Sequence, residues 1–218
     1  MLIVAPDFDR RIDLPGVGPC PRPVDIDQGV TGLDRLVSLR IYSFARGSVI
    51  DGEAEADEVF VTLLRGAADV AVMQDGRQIG DFALRRGATC AVYLPPHAAY
   101  RLTAREDCDI AYARVREPAS GAPAAAGFAT HDGAVRVPSH AAGMQLVLER
   151  LAPGEALDGA DAAPERFLHV RSDDGGVGVL SGTRLADWQT AVLGDGERVT
   201  LTADGGHIDI LQISATTH

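Results

Sequence analysis

The chain can be laid on itself. Shifted by about 107 residues, Gly47 falls on Gly154, Ile50 on Leu157 and Asp51-Gly52 on Asp158-Gly159. Glu58 then meets Glu165, Phe60 meets Phe167 and Leu94 meets Leu201, with no gap from Gly47 to Tyr100. Chance aligns apolar residues easily, but seldom the glycines and the Asp-Gly pairs, read as turns, as well. Self-similarity at this period implies two copies of one unit of roughly 100 residues. Within a unit the apolar runs are short: LVSLRIYSF, EVFVTLL, ADVAV, TCAVYLP, YRLTA and DIAYARV. Each has strand length, and LVSLRIYSF alternates Val37, Leu39 and Ile41 against Ser38 and Arg40. Helical periodicity is missing apart from a turn near GVTGLDRLV. The chain therefore reads as all-β, its strands closed into barrels or sandwiches that protect their edges. The Ala-, Pro- and Gly-rich stretch from Arg116 to Ala129 has linker composition. The expected division is a first barrel with an N-terminal extension over 1–117, a linker over 118–129 and a second barrel over 130–218.

Charge narrows the partners. The formal net charge of -11 disfavours nucleic acid and anionic membranes, which both attract basic patches. No run approaches the roughly 18–20 apolar residues of a membrane span, and MLIVAP followed by acidic residues is too short for the core of a signal peptide. Cys20, Cys90 and Cys108 are an odd number without metal spacing, as in a reduced cytoplasmic protein. The sequence holds no lysine, which excludes Schiff-base chemistry and a Walker-type phosphate loop, and no asparagine.

The repeat unit resembles a cupin. The first cupin motif runs from a glycine through His-x-His to a glutamate and a further glycine; here Gly47 leads to Glu53-Ala-Glu55, then Glu58 and VFVTLLRG ending at Gly66. The second motif appears as Gly87 followed by YLPPHAAY, with His97 at the glycine position and Tyr100 at the histidine position. LLRGAADVAV, VYLPPHAAYRLTA and DIAYARV are similar to the deoxyglucuronate and ketouronate isomerases, a family of two-barrel proteins. The resemblance lies mainly in the first half. It implies two tandem double-stranded β-helix barrels, a sugar-acid ligand and a homodimer.

At the metal-ligand positions the first unit offers Glu53, Glu55, Glu58 and Tyr100, and the second offers Ala160, Ala162, Glu165 and His207. Three carboxylates and a phenol are not the imidazole set that iron, zinc or nickel prefers. Three readings stay open: a solvated acidic turn, a hard divalent cation held by Glu53, Glu55 and Glu58, or an acid/base pair. Glu165 and His207 alone are too few to hold a catalytic metal. His169 shares a strand face with Glu165 but lies roughly 13 Å along the strand. Arg40, Arg101 and Arg114 fall on strand patterns, where an inward guanidinium could clamp a carboxylate.

The expectation is a bicupin that binds a sugar-acid-like small molecule through Glu53, Glu55, Arg40 and Arg101 near the first barrel mouth, its usual metal site degenerate and no cofactor required. One alternative is an isomerase of a uronate-type sugar. It would use Glu58 or Glu55 as base and Tyr100 or His97 as acid, with or without a hard cation. The other is a structural dimeric cupin.

Overall fold

The computed structural model describes residues 1–116, 143–158 and 165–215, with the backbone of Ala126–Ala129 and Ala134–Arg136. The first half forms β1 (Leu2–Val4), β2 (Arg11–Leu14), β3 (Gly18–Pro21) and β4 (Val24–Asp27). After one helical turn, α1 (Gln28–Thr31), come β5 (Leu36–Phe44), β6 (Val49–Glu53), β7 (Asp57–Arg65) and β8 (Ala67–Gln74). β9 (Arg77–Arg85), β10 (Thr89–Leu94), β11 (Ala99–Ala104) and β12 (Cys108–Arg116) complete it. The second half runs β13 (Ala126–Ala129), β14 (Ala134–Arg136), β15 (Met144–Leu151), β16 (Ala156–Asp158) and β17 (Arg166–Arg171). β18 (Val177–Leu180), β19 (Thr183–Leu185), β20 (Thr190–Leu193), β21 (Thr200–Asp204) and β22 (Ile208–Ala215) follow. Among the described residues no helix is long and apolar enough to cross a membrane.

The strands make two barrels of matching order. In the first, β13-β10-β7-β12-β5-β4 faces β6-β11-β8-β9; in the second, β1-β20-β17-β22-β15-β14 faces β16-β21-β18-β19. The pairing crosses between halves. β1, from the N-terminal extension, adds to β20 of the second barrel, and β13 adds to β10 of the first. The segments 117–125, 130–133, 137–142 and 159–164, and with them most of the expected linker, lie outside the described residues.

Three apolar cores follow from strand alternation. Val59, Val61 and Leu63 of β7 fill the first barrel with Val70, Val72 and Leu102. Leu168, Val170, Leu180, Leu201 and Ile210 fill the second. The other faces of the two six-stranded sheets meet in a seam, where Leu39, Ile41, Phe60 and Ala113 pack with Leu146, Phe167, Leu211 and Ile213. EVFVTLL reads as almost continuously apolar because β7 is buried on both faces.

The gap-free shift holds only over the early strands. Ile50 pairs with Leu102 across β6 and β11, and Leu157 pairs with Leu201 across β16 and β21. Leu201 therefore stands where Leu102 does, eight residues beyond the Leu94 that the shift assigns to it. The second half is shorter between these points: β18 has 4 residues where β8 has 8, and β19 has 3 where β9 has 9. Val199 thus takes the place of Tyr100, and His207 does not.

Candidate functional site

The acidic segment between Asp51 and Glu58 does not form a ligand cage. Asp51-Gly52 lies within β6 rather than in a turn, and the face turned into the barrel carries Ile50, Gly52 and Ala54. Gly52 is required there, because a Cβ would sit 2.5 Å from the Tyr100 hydroxyl. Asp51 and Glu53 point outward and are exposed, and exposed Arg101 binds Asp51 through Nε at 2.7 Å and Nη2 at 3.0 Å. Arg101 is thus a surface partner, not a clamp in the mouth. Glu55 is exposed in the β6–β7 connection with φ of 56°. Arg114 gathers this connection, donating to the Glu53 carbonyl at 2.6 Å and lying 3.2 Å from Glu55 and 3.4 Å from Asp57.

Glu58 is buried on the opposite face of β7, in the seam. It accepts from the Tyr93 hydroxyl at 2.8 Å and from the Gly143 amide at 3.0 Å. That position rules it out as a base acting inside the barrel. His97 is exposed, with φ of 63°, in a turn where the Ala98 amide reaches the Pro95 carbonyl at 3.1 Å. It takes the left-handed position that glycine usually fills, not that of an acid beside Tyr100.

In the second half, Glu165 accepts from the amides of Asp34 (2.6 Å), Arg35 (2.9 Å) and Leu36 (2.6 Å), so it too works in the seam. His207 is exposed, its Nδ1 2.9 Å from Asp174. The hydrogen bond from His207 lowers the Asp174 carboxyl to about 2. His169 faces the seam, not the barrel interior. The apolar filling of the second barrel leaves Arg166 as its buried cation, donating to the Glu197 carbonyl. Ala160 and Ala162 lie outside the described residues.

The polar interior belongs to the first barrel. Ser38, Arg40 and Tyr42 of β5 face inward with Tyr112 and Arg114 of β12, and Tyr100 of β11 closes the group. Together with Leu14 from the β2–β3 hairpin they line a cavity of about 120 Å³. Tyr42 meets Tyr112 edge-on at 5.5 Å, and Tyr100 lies 5.8 Å from Tyr112. Burial pushes the Tyr100 hydroxyl up to about 12 and Tyr112 well above the usual phenol range. Both are therefore neutral donors near pH 7. The Tyr112 hydroxyl is turned toward that of Tyr100 as a donor, which lowers Tyr100 and raises Tyr112 against the larger effect of burial.

A cluster of arginines stands at the rim. Asp25 receives Arg22 at 2.7 Å, Arg10 at 3.1 Å and Arg40 at 3.3 Å. Arg22 also reaches the Tyr42 hydroxyl at 3.3 Å. Arg40 gives its Nε to Asp25, and among the described residues its two Nη groups have no hydrogen-bond partner. The mouth is locally cationic in a chain whose net charge is -11. Sequence reading missed Asp25, Arg22, Tyr42 and Tyr112. The strand alternation carried the signal for two of them, since Tyr42 follows Arg40 by two residues and Tyr112 precedes Arg114 by two.

A larger cavity of about 290 Å³ lies in the seam, between Leu64, Cys90, Leu148 and Leu211. Its arginines are already paired: Arg86 and Arg150 with Asp209, and Arg171 with Asp109 and Asp187. Its Glu149 keeps a buried Oε2 without a partner, an acceptor that repels an acid, whereas the smaller cavity offers the free donors of Arg40.

The cupin resemblance implies a metal on the inward face of β6. The side chains there are Gly52 and Ala54, opposite Val59 and Tyr100. A single phenol offers no seat for a transition ion. Among the described residues no three His, Cys, Asp or Glu side chains converge to hold a metal.

The family model described as KduI/IolB matches residues 23–136, just over half of the chain and the part that holds the tyrosine and arginine pocket. No curated protein matches by sequence. An IolB-like protein from Salmonella typhimurium superposes with a TM-score of 0.72 at 13% identity, covering 100% of this chain and 93% of that one. A cupin 2 conserved barrel protein from Leptotrichia buccalis gives 0.53 at 13% identity, covering 96% and 98%. A mutant of Bacillus subtilis oxalate decarboxylase gives 0.71 at 10% identity, covering 100% and 78%. These likenesses bear out the expected fold of two cupin barrels.

Proposed function

The chain belongs to the KduI/IolB family, and on that premise we propose that its first barrel binds a small sugar acid in the pocket of Arg40, Tyr112, Tyr100, Tyr42 and Arg114. The observation that carries this reading is the free end of the Arg40 guanidinium, whose Nη groups have no hydrogen-bond partner among the described residues and which faces a cavity walled by Tyr42, Tyr100 and Tyr112. A guanidinium edge matches a carboxylate in bidentate fashion. A neutral phenol matches a hydroxyl or carbonyl oxygen on the carbon chain, and the tyrosine rings supply an apolar wall for C–H groups. The function is recognition of the acid. Among the described residues the inward face carries no carboxylate base, since Glu58 stands behind the sheet and Asp51 is engaged by Arg101.

Isothermal titration of the whole protein with D-glucuronate, in the presence of a chelator, tests this. Arg40→Gln is expected to weaken binding by about tenfold or more, the worth of a charge-assisted hydrogen bond. Tyr112→Phe is expected to weaken it less, and Arg101→Gln not at all. Equal affinity in wild type and Arg40→Gln would remove the pocket from consideration.

A further inference from the structure

Asp25 is a carboxylate at the rim of a site whose lining holds two guanidiniums, Arg40 and Arg114, and one acid, Asp51, that Arg101 already engages. Arg10, Arg22 and Arg40 approach Asp25 from three places in the chain: ahead of β2, after β3 and from within β5. Arg40 faces the cavity directly, and Arg22 touches it through the Tyr42 hydroxyl. The charge is therefore shared. Three guanidiniums meet one resident carboxylate, and the further contact of Arg10 with Asp7 is long, at 3.7 Å. With Asp7 counted, an excess of one positive charge remains beside the cavity, the complement of a single carboxylate. On the opposite wall, Arg114 is occupied by the Glu53 carbonyl, Glu55 and Asp57.

We infer that Asp25 is a specificity-determining residue that sets the charge of the acceptable ligand, so that the mouth selects a sugar acid with one carboxylate over one with two. The inference rests on the sugar-acid reading of this pocket. The resident carboxylate holds the Nε edge of Arg40 and leaves its Nη end for a single incoming carboxylate. A second carboxylate on the ligand would meet Asp25 itself, and its repulsion would offset the attraction of Arg10 and Arg22. Asp25 has about one-fifth of its side chain exposed and lies within reach of all three arginines, so its charge is only partly screened. Removing that charge should favour a dianion more than a monoanion.

The test uses D-glucuronate, with one carboxylate, and D-glucarate, with two on a carbon chain of the same length. Each is titrated at low ionic strength into wild type, Asp25→Asn and Arg10→Gln. Wild type is expected to prefer glucuronate. Asp25→Asn should shift the glucarate-to-glucuronate affinity ratio upward by about fivefold or more, and added salt should shrink that shift. Arg10→Gln, on an exposed side chain, should move the ratio downward by about twofold, and it decides the matter if Asp25→Asn does not fold. Glucuronate binding with an unchanged ratio in both variants overturns the role of Asp25 and leaves the pocket standing. No binding of either acid by folded wild type overturns the pocket, and the role of Asp25 with it.

Discussion

His169 carries an imidazole into the seam between the barrels, with no exposed surface. Its Nδ1 lies 2.9 Å from the Thr190 hydroxyl, and its Nε2 is buried without a partner. The ring edge meets Trp188, whose face also carries the Arg171 guanidinium at 3.8 Å. Burial first, and the Arg171 charge second, lower its pKa from 6.5 to about 3. A base depressed in the folded state is charged first in the unfolded chain. Stability from this residue is therefore fully present above pH 6.5 and is lost as pH falls toward 3, by about 1.4 kcal/mol per pH unit at most. Denaturant unfolding between pH 6.5 and 5, above the carboxylate range, isolates the effect. His169→Gln should flatten that slope while the wild type keeps it; an equal slope in both would assign the pH dependence elsewhere. The sequence placed His169 on the face of Glu165, which is correct, but which face of β17 meets a barrel and which meets the seam depends on a second sheet that the strand pattern does not contain.

At the scale of the strand, one residue of register separates the expected site from the observed one. Successive side chains alternate, so a slip by one sends every side chain to the other face. The motif spacing put Glu53 and Glu55 at the metal-ligand positions and left open whether they turn inward. The pleat puts Gly52 and Ala54 inward, and Gly52 is the determinant, because the Tyr100 ring occupies the space of its side chain. Tyr100 was legible as a residue of the barrel mouth because YLPPHAAY fixes the turn before β11. The alternation of LVSLRIYSF placed Arg40 on the Ser38 face, and the structure turns that face inward. The role of Arg114 was not legible, since its partners are two backbone carbonyls and two acids some 60 residues earlier in the chain. Arg114→Met should release the β6–β7 connection. Hydrogen exchange of amides 54–57, and of the His97 amide that donates to the Glu55 carbonyl, is expected to quicken by about tenfold or more, with the β8–β9 hairpin unchanged. Exchange as slow as in wild type would mean that the backbone, not Arg114, holds that segment.

The whole molecule is joined by a reciprocal arrangement of two glutamates. Glu58 of the first barrel takes the Gly143 amide just before β15, and Glu165 of the second takes the Leu36 amide at the start of β5. Each barrel thus pins the opening strand of the other's six-stranded sheet. Tyr93 adds a hydroxyl to Glu58, whereas Val192 stands in its place opposite Phe167 and the amides of Asp34 and Arg35 serve Glu165 instead. β1 and β13 extend sheets of the opposite half, and the seam core draws on both sheets. Neither barrel keeps its outer face buried alone, so the chain should unfold as a unit. Calorimetry is expected to show one endotherm whose calorimetric and van't Hoff enthalpies agree. Glu165→Ala strands three backbone amides, at a cost of about 2–4 kcal/mol. That should lower the single midpoint by roughly 5–15 °C for a chain of this length. Glu58→Ala should lower the same midpoint by less, since it strands one amide and one hydroxyl that can turn elsewhere. If Glu165→Ala instead split the endotherm in two, with one half melting at the wild-type temperature, the barrels would be independent domains and the glutamate pair a local contact rather than what couples them.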